Sequence, residues 1–203
     1  LDAASQRLYV ADVASPDSVP SAPRGYAAVR AVELAAGTVR TLTWGERARP
    51  PQDGPLATAS LHSPAALALD PESGELFIAE SGVAIVRVLS LAQGKVQTLA
   101  GRAGETGPAD GSLADARFDS PGGLAWSPSQ RALFVTDAGG HSVRRIDRTL
   151  GRVSTWLGDP SQQGGLPAGR RTPWAQATLY YPSAPLLLPA ASAADTPEKL
   201  AYL

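Results

Sequence analysis

Residues 116–158, ARFDSPGGLAWSPSQRALFVTDAGGHSVRRIDRTLGRVSTWLG, hold four short apolar runs in succession: Gly123–Trp126, Leu133–Thr136, Val143–Asp147 and Arg152–Leu157. Turn-forming residues separate them: Ser127-Pro128-Ser129, then Asp137–His141, then Arg148–Gly151. Runs this short and this closely punctuated cannot be helices; they predict a four-stranded antiparallel meander. The second run, Ala132-Leu133-Phe134-Val135, is apolar at both sets of alternating positions. A sheet wetted on one side would alternate, so this one is expected to be covered on both faces.

The pattern is copied along the chain. Residues 61–101 align with it, Ser63-Pro64 with Ser120-Pro121, Leu76-Phe77-Ile78 with Leu133-Phe134-Val135, Glu80 with Asp137, and Val96–Leu99 with Val153–Trp156. An earlier copy lacks its first strand and runs through Leu8–Asp12, Val29–Val32 and Val39–Leu42; a last one starts at Leu179-Tyr180-Tyr181-Pro182. Repeated four-stranded sheets buried on both faces are the sequence pattern of an all-β, β-propeller fold. The expected divisions are a partial blade at 1–45, blades at 61–101 and 116–158, and a partial blade at 177–203 of one propeller. Asp12 precedes Glu80 by 68 residues and Glu80 precedes Asp137 by 57. That spacing leaves about three blades' worth of sequence, against roughly four to eight in a closed ring.

The lead-in Phe118-Asp119-Ser120-Pro121-Gly122, a strand of Leu-Phe-Val-Thr-Asp type, a histidine-containing turn, Val143-Arg144-Arg145-Ile146-Asp147 and a closing Val153–Gly158 strand together resemble the NHL repeat. The resemblance is strong over 116–158, good over 61–101 and partial elsewhere. Of the repeat's Asn-His signature only Gly140-His141 is kept. The resemblance implies a ring of six blades, and with it completion of the ring by further blades of the same or another chain. It implies no single activity.

Composition narrows the function classes. A net charge of −1 gives no reason to expect a nucleic-acid partner. No apolar run approaches the length of a membrane span. The absence of cysteine excludes disulfides and thiolate metal sites while leaving the compartment open.

Asp12, Glu80 and Asp137 occupy equivalent places, each just after the second strand of its blade. A ring of carboxylates could hold Ca2+ through oxygen ligands; the leading expectation is that each accepts backbone N–H groups in the turn to the third strand, with no cofactor. His141 is expected to pack and hydrogen-bond within its own turn, with a role as base or metal ligand as the alternative. Arg144, Arg145, Arg148 and Arg152, with Arg117 and Arg131, read as a solvated mixed-charge surface among Asp115, Asp119, Asp137 and Asp147.

Residues 13–28 read as a Pro/Ser-rich insertion that projects from its blade in place of a tight turn, and the long connections 45–60, 102–115 and 159–176 are expected to be loops at the rim. The last carries Arg170, Arg171 and Trp174 as candidate contact residues. No nucleophile elbow or histidine metal motif is present. The leading reading is a non-enzymatic scaffold that binds a protein partner through its rim loops. The alternatives are a metal-dependent propeller hydrolase, lactonase or lyase, and a propeller module attached to a catalytic domain beyond these residues.

Overall fold

The computed structural model describes residues 2, 4–14, 25–160, 178–183, 185–188 and 199–202, the last two stretches as backbone only. Short β-rich runs punctuated by glycine-containing turns fold into strands throughout. The first sheet holds β1 (Arg7–Val13), β2 (Tyr26–Glu33) and β3 (Thr38–Glu46) in sequential order. The second holds β4 (Gly54–Pro55), β5 (Pro64–Asp70), β6 (Glu75–Glu80), β7 (Ile85–Ser90) and β8 (Lys95–Gly101). The third holds β9 (Gly111–Ser112), β10 (Pro121–Ser127), β11 (Ala132–Asp137), β12 (Ser142–Asp147) and β13 (Arg152–Gly158). A fourth, two-stranded sheet pairs β14 (Pro185–Leu188) with β15 (Lys199–Tyr202). Every pairing between these strands is antiparallel. The chain is an all-β assembly of propeller-type blades.

The doubly apolar second strand has the explanation the sequence gives it. On β6, Leu76 and Ile78 point toward the first sheet and pack with Tyr9, Ala27, Val29, Ala31 and Leu42. Phe77 and Ala79 point the other way and pack with Leu124, Leu133 and Val135 of the third sheet and with Phe118, just before β10. The period of two thus delivers alternate side chains to two different interfaces. The Phe77 and Trp126 rings meet at 5.1 Å. Arg148 of the third blade adds a 2.8 Å ion pair to Glu75 of the second.

The linkers before the second and third blades are not free rim loops along their whole length. Each folds back on the blade that follows and adds a fifth strand, β4 against β8 and β9 against β13, giving the orders β4-β8-β7-β6-β5 and β9-β13-β12-β11-β10. The Asp-Gly pair makes this possible, since Gly54 and Gly111 adopt φ of +146° and +153°, a conformation open to glycine. Residues 47–51 and 102–106 stay outside these strands and are largely exposed.

Candidate functional site

The carboxylate at the end of the second strand is buried in both five-stranded blades. Glu80 Oε1 accepts the N–H groups of His62 (2.5 Å) and Ser63 (3.1 Å), and Oε2 lies 2.9 Å from the Arg87 guanidinium. Asp137 Oδ1 accepts the Asp119 N–H at 2.7 Å, and Oδ2 faces Arg144 at 3.5 Å. Both carboxylates are therefore backbone acceptors, as expected. Their donors lie before the first strand of the blade, not in the turn to the third, because the end of the second strand abuts that segment. The shorter aspartate leaves its arginine contact beyond hydrogen-bonding distance, whereas the extra methylene of glutamate closes it.

Asp12 differs. Its side chain is about as exposed as that of Arg30, with which it forms a 2.6 Å ion pair. The three equivalent carboxylates thus stand in two environments. Burial pushes the Asp137 carboxyl up to about 6, against the opposing pull of the Asp119 N–H and Arg144. Among the described residues no three His, Asp or Glu side chains gather closely enough to hold a metal ion.

Arg144 corrects the solvated-surface expectation, since it and its counterpart Arg87 are fully buried. Arg87 reaches past Glu80 to the linker and donates to Ser60 O (3.3 Å), Gln52 O (3.0 Å) and Asp53 Oδ1 (2.7 Å). Arg144 repeats this with Arg117 O (2.7 Å), Ala109 O (2.9 Å) and Asp110 Oδ1 (2.7 Å). A threonine on the outer strand completes each set, Thr98 N–H to Asp53 at 3.0 Å and Thr155 Oγ1 to Asp110 at 3.1 Å. Each buried arginine is a clasp that ties its linker to its blade. Arg145 and Arg148 are half-buried in ion pairs, while Arg131 and Arg152 are exposed.

The signal for this clasp was in the sequence as Val-Arg at positions 29–30, 86–87 and 143–144 and as Asp-Gly at 53–54 and 110–111.

His141 is buried with φ of +48°. Its N–H bonds Ala138 O inside the turn, but its Nδ1 accepts the N–H of Tyr181 at 3.3 Å, and the Tyr180 and Tyr181 rings lie 5.7 and 4.9 Å away. The imidazole therefore joins the third blade to the segment that follows, a wider role than the turn alone. At the corresponding end of the second blade, a groove of about 240 Å³ runs between the two exposed linker ends, past Arg47, Arg49, His62, Val83 and Gly104. Arg170, Arg171 and Trp174 lie outside the described residues.

No protein-family model matches the chain. Among curated proteins it is similar to the protein SUPPRESSOR OF QUENCHING 1, chloroplastic, of Arabidopsis thaliana, at 34% identity over 119 residues, 59% of this chain and 11% of that protein. It is also similar to NHL repeat-containing protein 2 of Bos taurus, at 29% identity over 134 residues, 63% of this chain and 18% of that protein. The chain thus spans less than a fifth of the length of these relatives. Among solved structures, a structural genomics protein of unknown function from Bacteroides thetaiotaomicron superposes with a TM-score of 0.65 at 18% identity, over 91% of this chain and 40% of that one. At that identity the likeness concerns the fold.

Proposed function

We propose that this chain, an NHL-repeat β-propeller segment, serves as a non-enzymatic scaffold that binds a protein partner through the exposed loops at the ends of its blades. The observation that carries this reading is the internal use of the repeat-equivalent carboxylates. Glu80 and Asp137 face buried arginines and backbone N–H groups, so they hold linkers in place instead of facing a substrate. The polar groups left to solvent, Arg47, Arg49 and Arg102 among them, sit on the linker ends, where loops on a rigid frame commonly make contacts. The small share of its relatives that the chain spans favours a second, compatible reading, in which the propeller is one module of a larger protein.

The test pairs a charge-reversal variant, Arg47→Glu with Arg49→Glu, with a control substitution at the exposed Arg152. A protein retained from an extract of the source organism by the parent chain and the control, and lost by the double variant, supports the scaffold. Hydrolase or lactonase turnover that disappears in Glu80→Gln would overturn it in favour of an enzyme.

A further inference from the structure

Two positions recur in three copies, 57 residues apart: Arg30, Arg87 and Arg144 on the third strand of the repeat, and Val39, Val96 and Val153 on the fourth. The strand pairing agrees, since Arg30 opposes Thr41 as Arg87 opposes Thr98 and Arg144 opposes Thr155, each just past a bulge. In the second and third blades this face is covered. Gly54 pairs with Val96 and Gly111 with Val153, and both valines are wholly buried. In the first blade Val39 is 58% exposed and Leu34, the counterpart of Leu91, is 50% exposed. Among the described residues no strand pairs with the outer edge of β3. The Arg30 side chain is 36% exposed where Arg87 and Arg144 are at 0%, and its partners are Asp12 and Tyr26 within its own blade.

The segments that fill this place in the other two blades share one chemistry: Asp53-Gly54-Pro55-Leu56-Ala57-Thr58-Ala59 and Asp110-Gly111-Ser112-Leu113-Ala114-Asp115-Ala116. In both, the aspartate meets the arginine and the outer-strand threonine, the glycine pairs with the valine, and the alanine three residues beyond the leucine is buried. We propose that the outer edge of β3, with Arg30, Thr41, Val39 and Leu34, is a docking groove for a further linker of this Asp-Gly-x-Leu-Ala-x-Ala chemistry. The incoming aspartate pairs with the Arg30 guanidinium and Thr41. Its glycine adds a short antiparallel strand beside Val39, and its leucine covers Leu34. Charge complementarity and two occupied copies of the same groove favour this occupant. A second copy of the chain is a poorer candidate, because its own two segments are already clasped by Arg87 and Arg144. This blade edge is separate from the loop surface proposed above.

The probe is a synthetic peptide with the sequence of residues 51–61, titrated into the isotope-labelled 203-residue chain and followed by NMR. Saturable binding is expected, with shifts at Thr38–Thr41 and Arg30 and none at Arg87. Replacing the aspartate of the peptide by asparagine, which leaves the chain untouched, should weaken binding at least about tenfold, the loss expected for a hydrogen bond to a charged group. Arg30→Gln in the chain should do the same. Absence of saturable binding at millimolar peptide, binding indifferent to both changes, or shifts centred on Arg87 would overturn the proposal. So would a dimer in sedimentation that Val39→Lys dissociates, since a second copy would then be the occupant.

Discussion

The guanidinium of Arg87 lies 2.9 Å from the carboxylate of Glu80, and neither side chain is exposed to solvent. Two charges withdrawn from water are costly, and their attraction offsets that cost only where the remaining donors and acceptors are also met. Here the Glu80 oxygens are met by the His62 and Ser63 N–H groups and the two terminal guanidinium nitrogens by the linker carbonyls and Asp53, while the buried Nε of Arg87 has no partner. The pair is a joint between three segments far apart in sequence.

Removing one partner strands the other. Glu80→Gln keeps an acceptor for the His62 and Ser63 N–H groups, so it isolates the loss of charge opposite Arg87. It should cost about 3–5 kcal/mol in urea unfolding, as breaking a buried pair usually does. Arg87→Met should cost as much or more, since the Ser60 and Gln52 carbonyls also lose one of their two donors each and keep only the backbone N–H of the other residue. The double variant should cost clearly less than the sum of the two. Additive costs would mean that the residues are not coupled.

The strands, their order and the two-faced packing of Leu76–Ala79 were legible because they follow from local periodicity. Leu76 and Ile78 differ from Phe77 and Ala79 in the face they present, and that alternation is written in the sequence. The partner of Glu80 was not legible in the same way. Arg144 stands beside Arg145, Arg148 and Arg152, and a run of arginines among aspartates reads as a wet surface when each copy is viewed alone. Only the alignment of Arg30, Arg87 and Arg144, set beside the two Asp-Gly pairs, separates the buried arginine from its exposed neighbours. The linkers misled for a related reason: glycine and proline mark turns, and the chain does turn at residues 56–58, but Gly54-Pro55 just before it pairs with β8 through contacts about 40 residues distant in sequence.

Asp137 should leave a signature in the pH dependence of stability. Its folded carboxyl is pushed by burial from the ordinary 3.8 up to about 6. Between those values the folded chain keeps a proton that the unfolded chain releases. The stabilising contribution is therefore complete below about pH 4 and is lost as pH rises through 6. The stability of the parent chain minus that of Asp137→Asn should fall across this window by at most about 3 kcal/mol. A difference that rises with pH would mean that Arg144 and the Asp119 N–H outweigh burial.

Asp53 is half-exposed, so its loss should be felt locally. Asp53→Asn weakens the contacts to Arg87 and to the Thr98 N–H and hydroxyl while leaving the Gly54–Val96 pairing in place. We expect about 1–2 kcal/mol of local destabilisation. It should appear as faster amide exchange at Thr98 and Ala59, with little change at Phe77 or Ile78 in the centre of the blade. Asp110→Asn should act in the same way on the third blade. Equal acceleration across the whole second sheet would show that the linker is part of the cooperative core and not a clasp upon it.

A calcium ion at the level of Glu80 and Asp137 would need six to eight oxygen ligands. Both Glu80 oxygens are engaged, one by two N–H groups and the other by Arg87, whose positive charge opposes a cation at that distance. Asp137 offers one oxygen turned toward Arg144 and another held by the Asp119 N–H. Asp12, the third member of the equivalent set, is tied to Arg30. The arginines thus stand where a cation would have to stand, and neutralise the same carboxylates. Millimolar Ca2+ or excess chelator should accordingly shift Tm by less than about 1 °C, because a ligand that does not bind the folded state cannot stabilise it. A rise in Tm with Ca2+ that vanishes in Glu80→Gln would show instead that the arginine yields its place to the ion.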